Sequence, residues 1–298
     1  MTANSGNDTL ISGTGIDTLV GGSGIDVFYI NNSSDIISGT LNLAEIAYSS
    51  VNYALSSNIN KLTLTGSSNL TATANNNNGD VLTANSGNDT LVSGTGVNTL
   101  VGGSGIDTFY INNSSDIISG TLNVADIAYS SVNYALSSNI NKLTLTGSAN
   151  LTATANNNND TITANTGNDI ITGGSGSNTY IFNQNYGQDT IFSNSGKDAI
   201  KFGSGLTDQN VALFMSGNNL LIGNAPNSLI TVQNQTKVTN AIQKIQLSDG
   251  KYLSNVDINN IIQQMTAFAS KNNISLTSIN TVEQNTNLMN IIANSWHN

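Results

Sequence analysis

Along residues 3–29 a large apolar residue returns every nine positions: Leu10, Leu19 and Phe28. Each is flanked by strand-forming residues, as in Thr18-Leu19-Val20, and preceded by six small or polar positions rich in Gly, Asn and Ser. Successive side chains of a strand face opposite ways, so the middle residue points into a core while its neighbours point out. Gly and Asn tolerate positive φ, so the six-residue stretch can curl and aim its carbonyls inward. A turn and a three-residue strand, repeated, predict a coil that stacks on itself, with two nine-residue units to each full coil.

The pattern returns twice. Gly21-Gly22-Ser23-Gly24-Ile25-Asp26 recurs as Gly102-Gly103-Ser104-Gly105-Ile106-Asp107, and residues 49–78 recur almost unchanged at 130–159. A third, partial copy starts near Asp160 and diverges after Thr179. The expected organisation is a first block over 1–79, a second over 80–159, a partial third over 160–202, a β-rich capping segment over 203–254 and a C-terminal helical segment over 255–298. Between the nonapeptides, residues 51–55, 62–65 and 70–74 alternate as strands do; they either continue the same solenoid as metal-free coils, the preferred reading, or form separate hairpins. Residues 75–78, all Asn, read as a turn or an Asn ladder. Beyond Tyr186, two degenerate turn-strand units at 187–191 and 196–200 lead to alternating strands at 211–215, 220–222 and 229–232, parted by Gly, Asn and Pro226. These predict a small antiparallel cap, which a solenoid needs over its last coil. Ile258, Ile261, Ile262, Met265 and Phe268 fall at helical spacing, with Asn255 or Asp257 as the expected N-cap. The polar tail over 270–298 is expected to be mobile, with a second amphipathic helix through Leu288, Ile292 and Trp296. The fold class is all-β: a parallel β-roll or β-solenoid, a small antiparallel cap and a C-terminal helix.

Charge sharpens this picture. The chain has 18 acidic and 8 basic residues and a net charge of −10, and every basic residue is Lys. Sixteen of the acids are Asp. Asp8, Asp17, Asp26, Asp35, Asp80, Asp89, Asp107, Asp116, Asp160 and Asp169 all stand at position six of a nonapeptide frame. Gly6, Gly15, Gly24, Gly87, Gly96, Gly105, Gly167 and Gly176 stand at position four. In a coil of two units, Asp8 falls over Asp26 on one edge and Asp17 over Asp35 on the other, roughly 4.7–4.9 Å apart. Carboxylates so placed repel. A hard cation that gathers six to eight carboxylate and carbonyl oxygens removes the repulsion and ties the coils together. Asn98 and Asn178 occupy the same frame position and keep an oxygen without the charge, so their edges are expected to bind more weakly. At Gly187 the frame breaks.

The repeats match G-G-x-G-x-D-x-U-x, with U a large apolar residue, and the chain resembles the C-terminal region of RTX (repeats-in-toxin) hemolysin-type calcium-binding proteins exported by type I secretion. Residues 60–66 resemble a linker motif found between repeat blocks of that family. Residues 199–203, 216–220 and 245–250 resemble the segment that closes its members, and residues 255–298 fit the place of an uncleaved secretion signal. The resemblance implies Ca²⁺ as the bound ion, about four to eight ions in all, the type I secretion machinery as partner during export and a bacterial, secreted or cell-surface setting. It also implies a folding switch: an unfolded chain where calcium is scarce and a folded one where it is plentiful. The alternative is an extracellular structural or adhesive protein built on the same solenoid. A surface glycan and an upstream effector domain are the further partners these readings admit.

Other classes find little support. No cysteine is present, so metal is the available substitute for disulfides. The N-terminal residues have neither a basic nor an apolar region, so no Sec leader is expected, and no apolar run reaches membrane-spanning length. An acidic, Arg-free chain is a poor partner for nucleic acid or anionic membrane. The single His, His297, leaves no His-based triad and no H-E-x-x-H zinc site. No catalytic residue and no organic cofactor are expected, and the chain is read as a non-enzyme. Tyr48/Tyr129 and Tyr53/Tyr134 are the candidates for an exposed aromatic row that a carbohydrate could use.

Overall fold

The computed structural model describes residues 1–39, 45–121, 123, 125–224 and 228–298. Pro226 lies outside the described residues. The chain forms two compact units, Met1–Val132 and Asn133–Asn298, and the boundary falls inside the second sequence block.

In the first unit the expected coil is present. Strand Thr9–Ile11 pairs in parallel with Val27–Ile30, and Thr18–Val20 with Ile36–Ser38. Partners stand 18 residues apart, two nonapeptides to a coil. One face continues through Ile46–Ser49, Lys61–Leu64, Val81–Thr83, Thr99–Gly102 and Ile117–Gly120. The opposite face runs Tyr53–Ala54, Thr71–Thr73, Thr90–Val92, Thr108–Ile111 and Ile127–Ser130, again parallel. The stretches between the nonapeptides thus add coils rather than hairpins, although the strand expected over 51–55 shortens to Tyr53–Ala54.

The core is built from the files of mid-strand residues on the two faces. Leu10, Phe28, Ala47, Leu62, Leu82, Leu100 and Ile118 stand in register and are buried. Phe28 lies opposite Ala47, and Phe109 opposite Ala128. A large side chain beside a small one keeps the thickness of successive coils constant. Burying a Leu or Phe in such a file contributes ~1.5–3 kcal/mol. On the outer surface Tyr29 stacks on Tyr48, and Tyr110 on Tyr129, each pair with ring centroids 5.3 Å apart. Tyr53 and Tyr134 do not join an exposed row: both are buried at 4% exposure, because their side chains alternate inward.

The second unit begins with the same architecture. Lys142–Leu145, Thr161–Thr163, Thr179–Phe182 and Ala199–Phe202 pair in parallel on one face, and Tyr134–Ala135, Thr152–Thr154, Ile170–Thr172 and Gln188–Phe192 on the other. Then the direction changes. Ser228–Val232 adds in parallel to Gln188–Phe192, but Asn219–Asn224 and Ala212–Ser216 follow it antiparallel. Lys244–Gln246 and Tyr252–Ser254 close the other face as an antiparallel hairpin. Phe182, Tyr186 and Phe202 cluster with centroids 5.3 to 6.4 Å apart where the repeat ends, filling the wider core beneath this cap.

Helix α1, Asn255–Lys271, follows directly and buries Ile258, Ile261, Met265 and Ala269. Its N-cap is Ser254, not Asn255 or Asp257. Asp257 is the third helical residue and completes a capping box with Ser254. The tail is folded, contrary to the expectation of mobility. It forms α2, Ile279–Glu283, and α3, Thr286–Ala293, whose Ile279, Val282, Leu288 and Ile292 are buried. Trp296 lies beyond α3. The last residues turn back to Tyr252: the His297 backbone exchanges two 3.0 Å hydrogen bonds with Tyr252, and its Nε2 lies 3.0 Å from Asp257. The apolar face of a short helix has no other place to go, so four apolar residues among many polar ones suffice to dock the tail. Leu288→Ala is therefore expected to cost about 2–5 kcal/mol, read as a lowered midpoint in urea melts of the calcium-loaded chain. A loose tail would leave that midpoint unchanged.

Candidate calcium-binding edges

The predicted Asp residues line up on the edges of the coils. In the first unit Asp8 stands beneath Asp26 and Asp17 beneath Asp35. The second block adds Asp80, Asn98 and Asp116 on one edge and Asp89, Asp107 and Asp126 on the other. In the second unit the edges are Asp160, Asn178 and Asp198, and Asp169 and Asp189. One contact recurs along both edges. The backbone N–H of Asp8, Asp17, Asp80, Asp89, Asn98, Asp107, Asp160, Asp169 and Asn178 donates to a side-chain oxygen of the position-six residue on the next coil, at 2.7 to 3.0 Å, whereas the N–H of Asp35, Asp116 and Asp126 turns to the carbonyl of the Asn three residues before. The second carboxylate oxygen accepts an N–H from the start of its own turn: Gly22 for Asp26, Gly103 for Asp107, both at 2.8 Å. The side chain is thus fixed by charge-assisted bonds before any ion is considered.

Sequence reasoning missed Asp126, Asp189 and Asp198 as members of these edges. Asp126 follows Asn123 at the spacing of Asn32 to Asp35 and Asn113 to Asp116, which was the available signal. The Asp189 and Asp198 contacts span 20 residues instead of 18: the chain absorbs the frame break at Gly187 as a longer turn, then resumes the ladder. Asp198 differs from the rest, because hydroxyls of Tyr180, Ser193 and Ser195 donate to it at 2.7, 2.7 and 2.8 Å. Burial with this acid beside it raises the Tyr180 hydroxyl far above its ordinary value.

The glycines have a steric reason. A Cβ on Gly24 would lie 1.9 Å from the Gly6 carbonyl oxygen, and one on Gly105 1.9 Å from that of Gly87. Gly96 meets Asn77, Gly167 meets Ala149 and Gly176 meets Asn158 in the same way. Gly15 lies on the first coil with nothing within 4 Å. Position four is therefore where the carbonyl of one turn rests on the turn above, and where carbonyl oxygens collect beside a carboxylate.

Three oxygens in this set have no hydrogen-bond partner although buried: Asp80 Oδ1, Asp160 Oδ1 and Asp189 Oδ2. Burial raises the Asp80 and Asp160 carboxyls to about 6 and that of Asp189 to about 8. Burial also raises Asp89 and Asp169, against two backbone N–H bonds each. Among the described residues no three His, Asp or Glu side chains come together. The donors on offer are one carboxylate or amide oxygen per turn with backbone carbonyls beside it. Unpartnered buried anionic oxygen beside carbonyl oxygen fits a hard, oxygen-seeking divalent cation.

Two outcomes follow. Gly105→Ala should destabilise the fold by about 1–3 kcal/mol, whereas Gly15→Ala should be neutral or slightly stabilising, as thermal melts of the two variants would report. The second concerns pH. An ordinary Asp carboxyl titrates near 3.8. A folded-state value raised above that contributes stability that is full below it and lost as pH rises through the folded value. In chelator the melting temperature should therefore fall as pH rises through about 6, with a further fall near 8 from Asp189. Calcium, which competes with these protons, should flatten or reverse the trend.

The family model for the RTX calcium-binding nonapeptide repeat (4 copies) matches residues 2–37, 75–109 and 152–184. No curated protein matches the chain. The matched stretches hold the Asp8–Asp26, Asp89–Asp107 and Asp160–Asn178 rungs just described. Among the described residues no helix is long and apolar enough to cross a membrane. With its nonapeptides wound into parallel coils, the chain carries RTX calcium-binding nonapeptide repeats over these three stretches.

Proposed function

We propose that this chain is a calcium-driven folding module of a protein exported through a type I system, with no catalytic role of its own. The observation that carries the reading is the set of buried, unpartnered carboxylate oxygens at Asp80 and Asp160, set among carbonyl-bearing Gly turns. The ligands assigned are Asp8, Asp17, Asp26, Asp35, Asp80, Asp89, Asp107, Asp116, Asp160 and Asp169. Carbonyls of the turns at Gly6, Gly15, Gly24, Gly87, Gly96, Gly105, Gly167 and Gly176 complete them. Before calcium is met, the chain carries its acidic edges uncompensated and stays loose enough to thread a channel. Outside, calcium binds the stacked form alone, and each site at 100 times its Kd adds ~2.7 kcal/mol. Extracellular modules bind calcium at about 10⁻⁴–10⁻³ M, the range such a switch requires. Export rests on the resemblance of residues 199–203, 216–220 and 245–250 to the closing segment of type I substrates.

A structural or adhesive role at the cell surface is the second reading. It is favoured by the paired tyrosines Tyr29–Tyr48 and Tyr110–Tyr129, stacked on the outer surface with Tyr29 and Tyr110 about two-fifths exposed. Far-UV circular dichroism during a calcium titration separates the two, with magnesium as control. A gain of β signal at sub-millimolar to millimolar calcium, absent with magnesium, supports the switch. Equal β content in chelator and in calcium would sink it and move the surface reading ahead.

A further inference from the structure

Two kinds of gap between successive turns contrast chemically. In the first kind the upper turn carries Gly at position two. A Cβ on Gly22, Gly94, Gly103 or Gly174 would lie 1.4 to 1.7 Å from the carbonyl oxygen of Asn4, Asn75, Asn85 or Asn156 below. No side chain enters these gaps from position two. The Asp8–Asp26 and Asp89–Asp107 pairs bound two of them, and the unpartnered oxygens of Asp80 and Asp160 belong to the other two.

In the second kind the upper turn carries Asn instead, and its side-chain amide nitrogen donates to two carbonyls of the turn below, three residues apart. Asn75 Nδ2 reaches Ser56 O at 2.9 Å and Ile59 O at 3.1 Å. Asn85 Nδ2 reaches Thr65 O at 3.2 Å and Ser68 O at 3.1 Å. The second unit repeats this. Asn156 Nδ2 bonds Ser137 O and Ile140 O at 2.8 Å each, and Asn165 Nδ2 bonds Thr146 O at 3.2 Å and Ala149 O at 3.0 Å. An amide NH₂ offers two donors on one nitrogen. It therefore gathers the kind of converging carbonyl oxygens that a cation gathers, carries no net charge and needs nothing from solution.

Amides elsewhere, such as Asn31, Asn112 and Asn194, reach a single carbonyl of the turn below, but the two-carbonyl contacts fall in two places. Asn75 and Asn85 close the two opposite edges of one pair of adjacent coils, and Asn156 and Asn165 do the same in the other unit. Their positive ends face carbonyls, so the bonds need neither proton nor ion. We propose that each unit contains an amide-latched block, residues 56–89 and 137–169, whose coils hold together without calcium, and that the Gly-type rungs flanking each block are the ones that wait for the ion. This rests on the calcium reading given under Proposed function, and refines it: the chelated chain is a coil only in part, and calcium extends order from two existing nuclei. It also makes an Asn that bonds two carbonyls from position two of a turn the residue that decides whether the gap beneath it takes an ion.

Hydrogen exchange of the full chain, followed by mass spectrometry in chelator and in calcium, tests this. In chelator, amides of Lys61–Leu64, Thr71–Thr73, Lys142–Leu145 and Thr152–Thr154 should exchange on the order of tenfold more slowly than those of Thr9–Ile11, Val27–Ile30 and Thr108–Ile111. Calcium should narrow the difference. Asn156→Asp, nearly isosteric, points a carboxylate oxygen at the same two carbonyls. It should lose the chelator protection around residues 140–155 and gain one bound calcium in native mass spectrometry. Uniform exchange of the wild-type chain in chelator, while it still binds calcium, overturns the inference and leaves the calcium reading intact. So does an Asn156→Asp chain with unchanged protection and ion count. A wild-type chain that binds no calcium but keeps the two protected blocks overturns the calcium reading and leaves the amide latches standing.

Discussion

The bond from a position-six N–H to the position-six side chain one coil later, repeated along both edges, is the constraint on which the rest depends. It sets the vertical spacing at the turns, where the sheets themselves make no ladder. It also keeps a buried carboxylate or amide oxygen at each of these rungs. A strand of three residues is too short to hold a register by itself. The turn has to hold it, and Asp does so with one oxygen for the coil before and one for its own turn. That arrangement leaves the oxygens with little further hydrogen-bonding partnership and the carboxylates desolvated, which is the condition under which a divalent ion or a proton is drawn in.

Glycine and asparagine follow from the same geometry. Where the carbonyl of one turn presses on the next, only Gly fits, and the gap is left to a carboxylate and carbonyls. Where the turn is roomier, Asn fills it, so a polar chain with a thin core and no disulfide acquires side-chain staples between coils. The apolar file supplies the non-directional part of the stability; the turns supply the direction and the register. The cap in turn relieves the last coil. Its antiparallel strands cover the exposed sheet edge with an apolar layer and with helices, and the wider aromatic cluster of Phe182, Tyr186 and Phe202 bridges the change from a thin to a thick core.

Local chemistry was enough to read the nine-residue period, the inward Leu and Phe residues, the parallel coil, the antiparallel hairpins at the end and the face of α1. Each is written in residues a few positions apart. Helix α1 shows the margin of such reading: its apolar stripe was plain, yet Ser254 rather than Asn255 or Asp257 caps it, because the capping box uses Asp257 as its third residue. Asp8, Asp26, Asp89 and Asp107 could be placed over one another because the repeat is exact there. Asp189 and Asp198 could not, because a two-residue insertion hides the frame without breaking the ladder.

The amino-acid sequence by itself determined which residues recur, and hence that coils of two nonapeptides stack with acids on their edges and apolar residues between. Only the tertiary structure decided what fills each gap between turns, which way Tyr53 and Tyr134 face, and whether the polar tail docks. The reason is distance along the chain. An Asn amide finds its carbonyls 16 to 20 residues earlier, across a coil whose length varies, and no local pattern marks the partner. The tail is similar in kind: Leu288 and Ile292 look sparse in sequence, and only the cap surface they meet makes them a core.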